Sequence, residues 1–245
     1  MNDNGVILHE QFNALKRYSF NFDRNVIFKN GLYVLFEKGE KFLEFDRIVR
    51  VGTHTGQNNL VKRLTEHFLK PNKDRSIFRK HIGRAILSRD NNLELLKQWE
   101  IDLTGKKARE EWAGKIDTAA IKSVEDRVTA YMQEYFTFSV IPLETKEERL
   151  FFEAGIIATT SRSPHFYPSA NWLGKFSPEE KIRTRGVWLV HGLNGRSLTE
   201  AEMGDLIKCA ETSRLKELNS KDITVFKQHE RSSENASRDN FFNKT

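Results

Sequence analysis

The stretch that most constrains the fold runs from Asn30 to Phe68. An Asn30-Gly31 turn opens onto the apolar, β-rich run Leu32-Tyr33-Val34-Leu35-Phe36. Gly39-Glu40 reads as a loop, and Arg47 to Thr53 as a second strand. Strict alternation along that strand puts Ile48 and Arg50 on one face and Val49 and Val51 on the other. Leu60, Leu64 and Phe68 recur every four residues, which predicts a helix over about 60–69.

The flanking chain carries weaker signals. Residues 1–29 mix polar residues with Phe12, Leu15, Phe20, Phe22, Val26, Ile27 and Phe28, and read as an N-terminal arm or short elements packed on the main domain. Lys70 to Arg89 is strongly basic, with Asp74 its one acid. Residues 91–117 read as insertion sequence, and Ile121, Val124, Val128, Tyr131 and Met132 mark an amphipathic helix. Phe136 to Leu143 reads as a third strand that stops near Pro142. Thr145 and Glu148 form a capping box for a helix over about 146–159. Ser177, Pro178 and Glu180 are expected to cap a short helix, and Ser197 with Glu200 another ending near Leu218. From about Arg231 onward Ser and Asn dominate, which predicts a disordered tail over 231–245.

Composition narrows the function classes. The single cysteine, Cys209, excludes an internal disulfide and a Cys-based zinc site, and fits a reducing cytosol. No apolar run approaches the roughly 18–20 residues that span a bilayer, so no membrane partner is expected. The first residues lack a basic then apolar leader pattern, so a cytoplasmic location is expected. A net charge of +6 and a pI of about 9.3 favour a polyanionic partner.

Several side chains have chemistry that their positions do not require. Tyr33 is either a core tyrosine whose hydroxyl finds a partner or a general base, and a phenol must be activated by nearby positive charge or a metal to be one. Arg63 lies at the rim of the helix's apolar stripe, with His67 one turn above it. It is a snorkelling arginine or an electrostatic stabiliser of a pentacovalent phosphorane, for which a planar guanidinium is suited. Glu153 falls inside the apolar arc of its helix, between Leu150 or Ile157 and Ile156. A carboxylate there needs a partner: Arg149 four residues back, a proton, or a magnesium ion. His54 follows Gly52-Thr53 at the strand end, a surface histidine or an aid in taking the proton from Tyr33. Asn171 sits in a loop before Trp172, where a turn former is the plain alternative.

Taken together, these residues resemble the GIY-YIG nuclease family. Gly31-Leu32-Tyr33 is similar to the first motif, with Leu for Ile, and Arg50-Val51-Gly52 stands at the second, with Arg50 where the family has its tyrosine. Arg63 matches the family's helix arginine, Glu153 its metal-binding glutamate, and Asn171 its late asparagine. The resemblance covers about residues 30–175, with an insertion at about 70–134, followed by a C-terminal helical extension over 176–230. It implies an α/β fold: a small three-stranded antiparallel sheet flanked by helices. It also implies phosphodiester hydrolysis with one divalent ion, Mg²⁺ or Mn²⁺. Tyr33 would help activate water, Arg63 would stabilise the transition state and Glu153 would hold the metal, with His54 and His67 beside them. The expected substrate is DNA, with RNA as the open alternative. Arg50, Lys73, Arg75, Arg79, Lys80, His81, Arg84 and Asn171 are the expected nucleic-acid contacts. The rival expectation is a binding module that keeps the fold and cleaves nothing.

Overall fold

The computed structural model describes residues 3–211. Its centre is a three-stranded antiparallel sheet of order β2-β1-β3, formed by β1 (Leu32–Phe42), β2 (Phe45–Gly52) and β3 (Phe136–Ile141). One face packs on α2 (Leu60–Phe68), α3 (Ile77–Arg89) and α6 (Thr118–Tyr135) through Tyr33, Leu35, Val49, Leu64, Phe68, Phe78 and Met132. The other face, with Leu32, Val34, Phe36, Ile48 and Val51, is covered by α1 (Asn4–Asn13), α7 (Lys146–Thr160) and a last helix, α9, over 200–211. The result is an α/β layered fold with helices inserted between β2 and β3, as the resemblance implies.

Two irregularities in the hairpin depart from simple alternation. β1 does not stop at Phe36: Gly39 adopts φ +88° within a register shift between Phe36 and Lys41, and the strand continues to Phe42. The glycine thus marks a bulge instead of the loop, and the chain turns at Leu43-Glu44 between paired Phe42 and Phe45. On β2, Arg50 pairs with Leu35 but Ile48 pairs with Phe36, so Val49 is an extra residue. That bulge breaks the alternation read from sequence. Ile48 shares the α1–α7 face with Val51, while Val49 and Arg50 turn to the Tyr33 face.

The N-terminal residues form α1, which buries Leu8 and Phe12, and a bridge from Tyr18 to Phe138. Residues 91–117 hold α4 (Leu93–Glu100) and α5 (Lys106–Trp112). Trp99 of α4 is buried against Gly83 of α3, where any Cβ would strike the indole. α6 passes straight into β3, with Phe136 as its C-cap. The Thr145–Glu148 capping box is present. The other two caps are shifted: α8 (Glu180–Arg185) follows Glu179, and α9 is boxed by Thr199 with Glu202. The expected end near Leu218 and the tail over 231–245 lie outside the described residues. Among the described residues no helix is long and apolar enough to cross a membrane.

Candidate active site

The start of β1, the end of β2, α2 and α7 meet at one corner of the sheet. Gly31 allows this approach, because a Cβ there would collide with the Ile141 carbonyl of β3. Tyr33 sits opposite Gly52 and is only 1% exposed. A Cβ on Gly52 would occupy the space of the Tyr33 hydroxyl, so the second motif's glycine is where the tyrosine passes across the neighbouring strand.

Four further expected residues gather around Tyr33. Arg50, 6% exposed, stands two residues before Gly52, over which the Tyr33 hydroxyl passes, and is drawn to that hydroxyl and to Glu153, with Arg63 also near. Burial pushes its guanidinium below the ordinary range, and attraction to Tyr33 opposes that shift. Arg63 is partly exposed at the rim, with only a loose 3.9 Å approach to Glu66. His67 is fully buried, its ring 6.0 Å from that of Tyr33 and Nδ1 2.6 Å from Ser76 Oγ. Burial, then Arg63, Arg50 and Arg79, hold it well below its ordinary value, so it is neutral, and Nε2 has no hydrogen-bond partner.

Glu153 does not pair with Arg149. The Arg149 guanidinium donates instead to the carbonyls of His54, Leu143 and Glu144. Glu153 accepts a hydrogen bond from the Thr53 backbone and is drawn by Arg50 and Arg63. Burial nevertheless raises its carboxyl above the ordinary value. A cleft of about 360 Å³ opens beside this cluster, with Thr53, His54, Thr55, Asn59, Lys62, Arg63 and Glu66 in its wall. Tyr33 lies beneath the cleft and is not part of its lining.

Other expected contacts are placed differently. His54 is buried, with Nδ1 2.5 Å from the Gly56 carbonyl and Nε2 accepting from Gly31 N at 3.3 Å. Both ring nitrogens are committed to backbone, so His54 braces the Gly31 turn and has no free nitrogen for a proton from Tyr33. Lys73, Arg79 and His81 are buried. Arg79 grips Glu125 at 2.8 Å and Lys73 reaches Asp74 and the Ile101 carbonyl. His81 accepts from Arg84 and is pushed down to about 3 by burial and then by Arg84. Lys80 and Arg84 meet Glu100, and Arg84 also meets Glu179. Of that basic set, Arg75 alone is exposed. The stretch from Lys73 to Arg84 is therefore largely an internal ion-pair network, with Arg75 exposed within it and Lys70 and Arg89 exposed on either side. Arg50 likewise sits beneath the surface, and Asn171 is exposed in the loop beside Trp172.

Sequence reasoning missed Lys62 and Asn59 of the cleft wall. Their adjacency to Arg63, one residue away and one turn back, was the available signal. It also missed Glu37, a buried carboxylate that accepts from Tyr131 and from the indoles of Trp172 and Trp188.

No curated protein and no solved structure matches the chain. A family model does match, over residues 8–213, and its description is the GIY-YIG domain. With the three-stranded sheet and the Gly31-Leu32-Tyr33 corner in place, that match spans most of the chain, which belongs to the GIY-YIG domain family of nucleases.

Proposed function

We propose that the protein is a divalent-metal-dependent endonuclease that hydrolyses phosphodiester bonds of DNA. The observation that carries this is the convergence of Tyr33, Arg50, Arg63, His67 and Glu153 at one corner beside an open cleft. In this reading Tyr33 takes a proton from the attacking water. Arg63, at the rim, faces the phosphate and offsets the charge that builds on its oxygens. Lys62 and Asn59 line the path of the strand.

A metal ion fits the donor chemistry here. Among the described residues no group of three or more His, Cys, Asp or Glu side chains forms a ready cage. Mg²⁺ needs none, since it is often held by one or two carboxylates together with water and substrate phosphates. Glu153 is a hard-oxygen donor whose charge is disfavoured by burial and which, among the described residues, is attracted by Arg50 and Arg63 without a direct salt bridge. Glu153 would hold the ion, and the bound ion would polarise the phosphoryl oxygens.

The test is conversion of supercoiled plasmid to nicked and linear forms in Mg²⁺ or Mn²⁺. Glu153→Ala and Tyr33→Phe are each expected to lower the rate at least roughly 100-fold. Wild-type rates in both variants would remove the assigned mechanism. Salt-dependent DNA binding with no cleavage in any divalent ion would replace it with the binding-module reading, which the near-complete burial of Tyr33 favours.

A further inference from the structure

Arg50 is held from behind by a relay of backbone and indole groups. The bulged residue Val49 offers its carbonyl to Trp188 N at 2.8 Å, and the Trp188 carbonyl accepts from Arg50 Nη1. The Trp188 indole is anchored in turn on Glu37 at 2.8 Å, and the Phe78 ring lies 4.9 Å from the guanidinium carbon. Other buried arginines are satisfied more fully. Arg47 and Arg79 meet carboxylates at 2.5 and 2.8 Å, and Arg149 donates to three carbonyls. Arg50 has one carbonyl, an aromatic face and the neighbouring Tyr33 hydroxyl, and among the described residues its Nε, like that of Arg47, has no hydrogen-bond partner. A buried guanidinium left so incompletely neutralised is costly, and its charge is directed at Tyr33 and Glu153.

We propose that Arg50, standing where the family's second tyrosine would be, is a positioning residue. Its N–H donates to the Tyr33 oxygen, fixes that oxygen's orientation and sets the guanidinium's positive charge against it. This inference rests on the nuclease reading above. In the step it serves, deprotonated Tyr33 takes a proton from water as the water oxygen bonds to phosphorus. The bond from phosphorus to the leaving oxygen breaks, its electron pair stays on that oxygen, and solvent supplies the proton there. Tyr33 then returns its proton to solvent. The Trp188 carbonyl, brought to β2 by the bulge, keeps the guanidinium from swinging away.

The experiment pairs single-turnover cleavage of a duplex oligonucleotide in Mg²⁺ with NMR of protein labelled with ¹³Cζ-tyrosine. The Tyr33 resonance is assigned by its absence in Tyr33→Phe. Arg50→Met is expected to lower the cleavage rate roughly 100-fold, with unchanged half-saturation by DNA and a displaced Tyr33 resonance. Arg50→Lys should recover part of the rate and much of the resonance position. Wild-type cleavage by Arg50→Met, loss of DNA affinity with the rate kept, or an unmoved Tyr33 resonance each overturns the proposal. If wild-type protein cleaves nothing while the Tyr33 resonance still responds to Arg50→Met, the nuclease reading has failed and the catalytic role falls with it.

Discussion

At the scale of single residues, the site depends on which groups are denied their obvious partners. Glu153 was legible in the sequence because a carboxylate inside an apolar helical arc demands an explanation. Its nearest helical arginine was not the explanation, since Arg149 closes the turn at His54 and the start of α7. No local pattern reveals that, because the carbonyls that claim Arg149 include one 95 residues away. Gly52 is the complementary case, a residue defined by what it leaves empty. Gly52→Ala places a methyl group in the space of the Tyr33 hydroxyl and must shift the ring. It is expected to cost about 1–3 kcal/mol of stability and to reduce plasmid cleavage by roughly 100-fold. A thermal melt and the nicking assay, run on one preparation, check both; unchanged values would mean that the ring has another place to go.

At the scale of elements, helices were easier to foresee than strand parity. Leu60, Leu64 and Phe68, and the Thr145–Glu148 box, are local signals, and α2 and α7 follow them. The faces of β2 did not follow alternation, because one extra residue at Val49 reverses it, and what holds the bulge, Trp188, lies far along the chain. The basic stretch misled for a similar reason: the acid that answers Arg79 is Glu125 on α6. The seam between α1 and β2 carries a pH dependence. His9 is fully buried, stacks on Phe42 at 4.2 Å, lies 2.7 Å from the Gly5 carbonyl through Nδ1 and accepts from Ile48 N through Nε2. Burial lowers it to about 4, below the ordinary 6.5. The unfolded chain therefore binds this proton first as pH falls. Stability from the neutral ring is complete above about pH 6.5, declines toward pH 4 and is lost below it. The full decline is worth about 3 kcal/mol. Urea unfolding at pH 7, 5.5 and 4 should show it, and His9→Gln should flatten that part of the profile.

At the scale of the whole molecule, charge and charged surface are different quantities. The chain carries a net charge of +6, yet much of the Lys70–Arg89 density is neutralised inside the α3, α4 and α6 layer. The cations of this region that are open to a phosphate backbone are fewer: Lys62 at the cleft, and Lys70, Arg75 and Arg89 beyond it. Arg75→Ala should reduce the slope of log affinity against log salt by about 1, whereas Arg84→Ala should leave the slope unchanged. Fluorescence anisotropy of a labelled duplex across a salt series measures both. Equal slopes for wild type and Arg75→Ala would move the DNA path to another face.

The pair of tryptophans on Glu37 gives this fold a native optical label. Their rings lie 5.1 Å apart at an interplanar angle of 61°, and both indole N–H groups end on one buried carboxylate. Such close chromophores exchange excitation and produce a shared circular dichroism band in the near ultraviolet. Because the backbone of one of them also grips Arg50, that band reports, without any added dye, whether the segment is seated against β2.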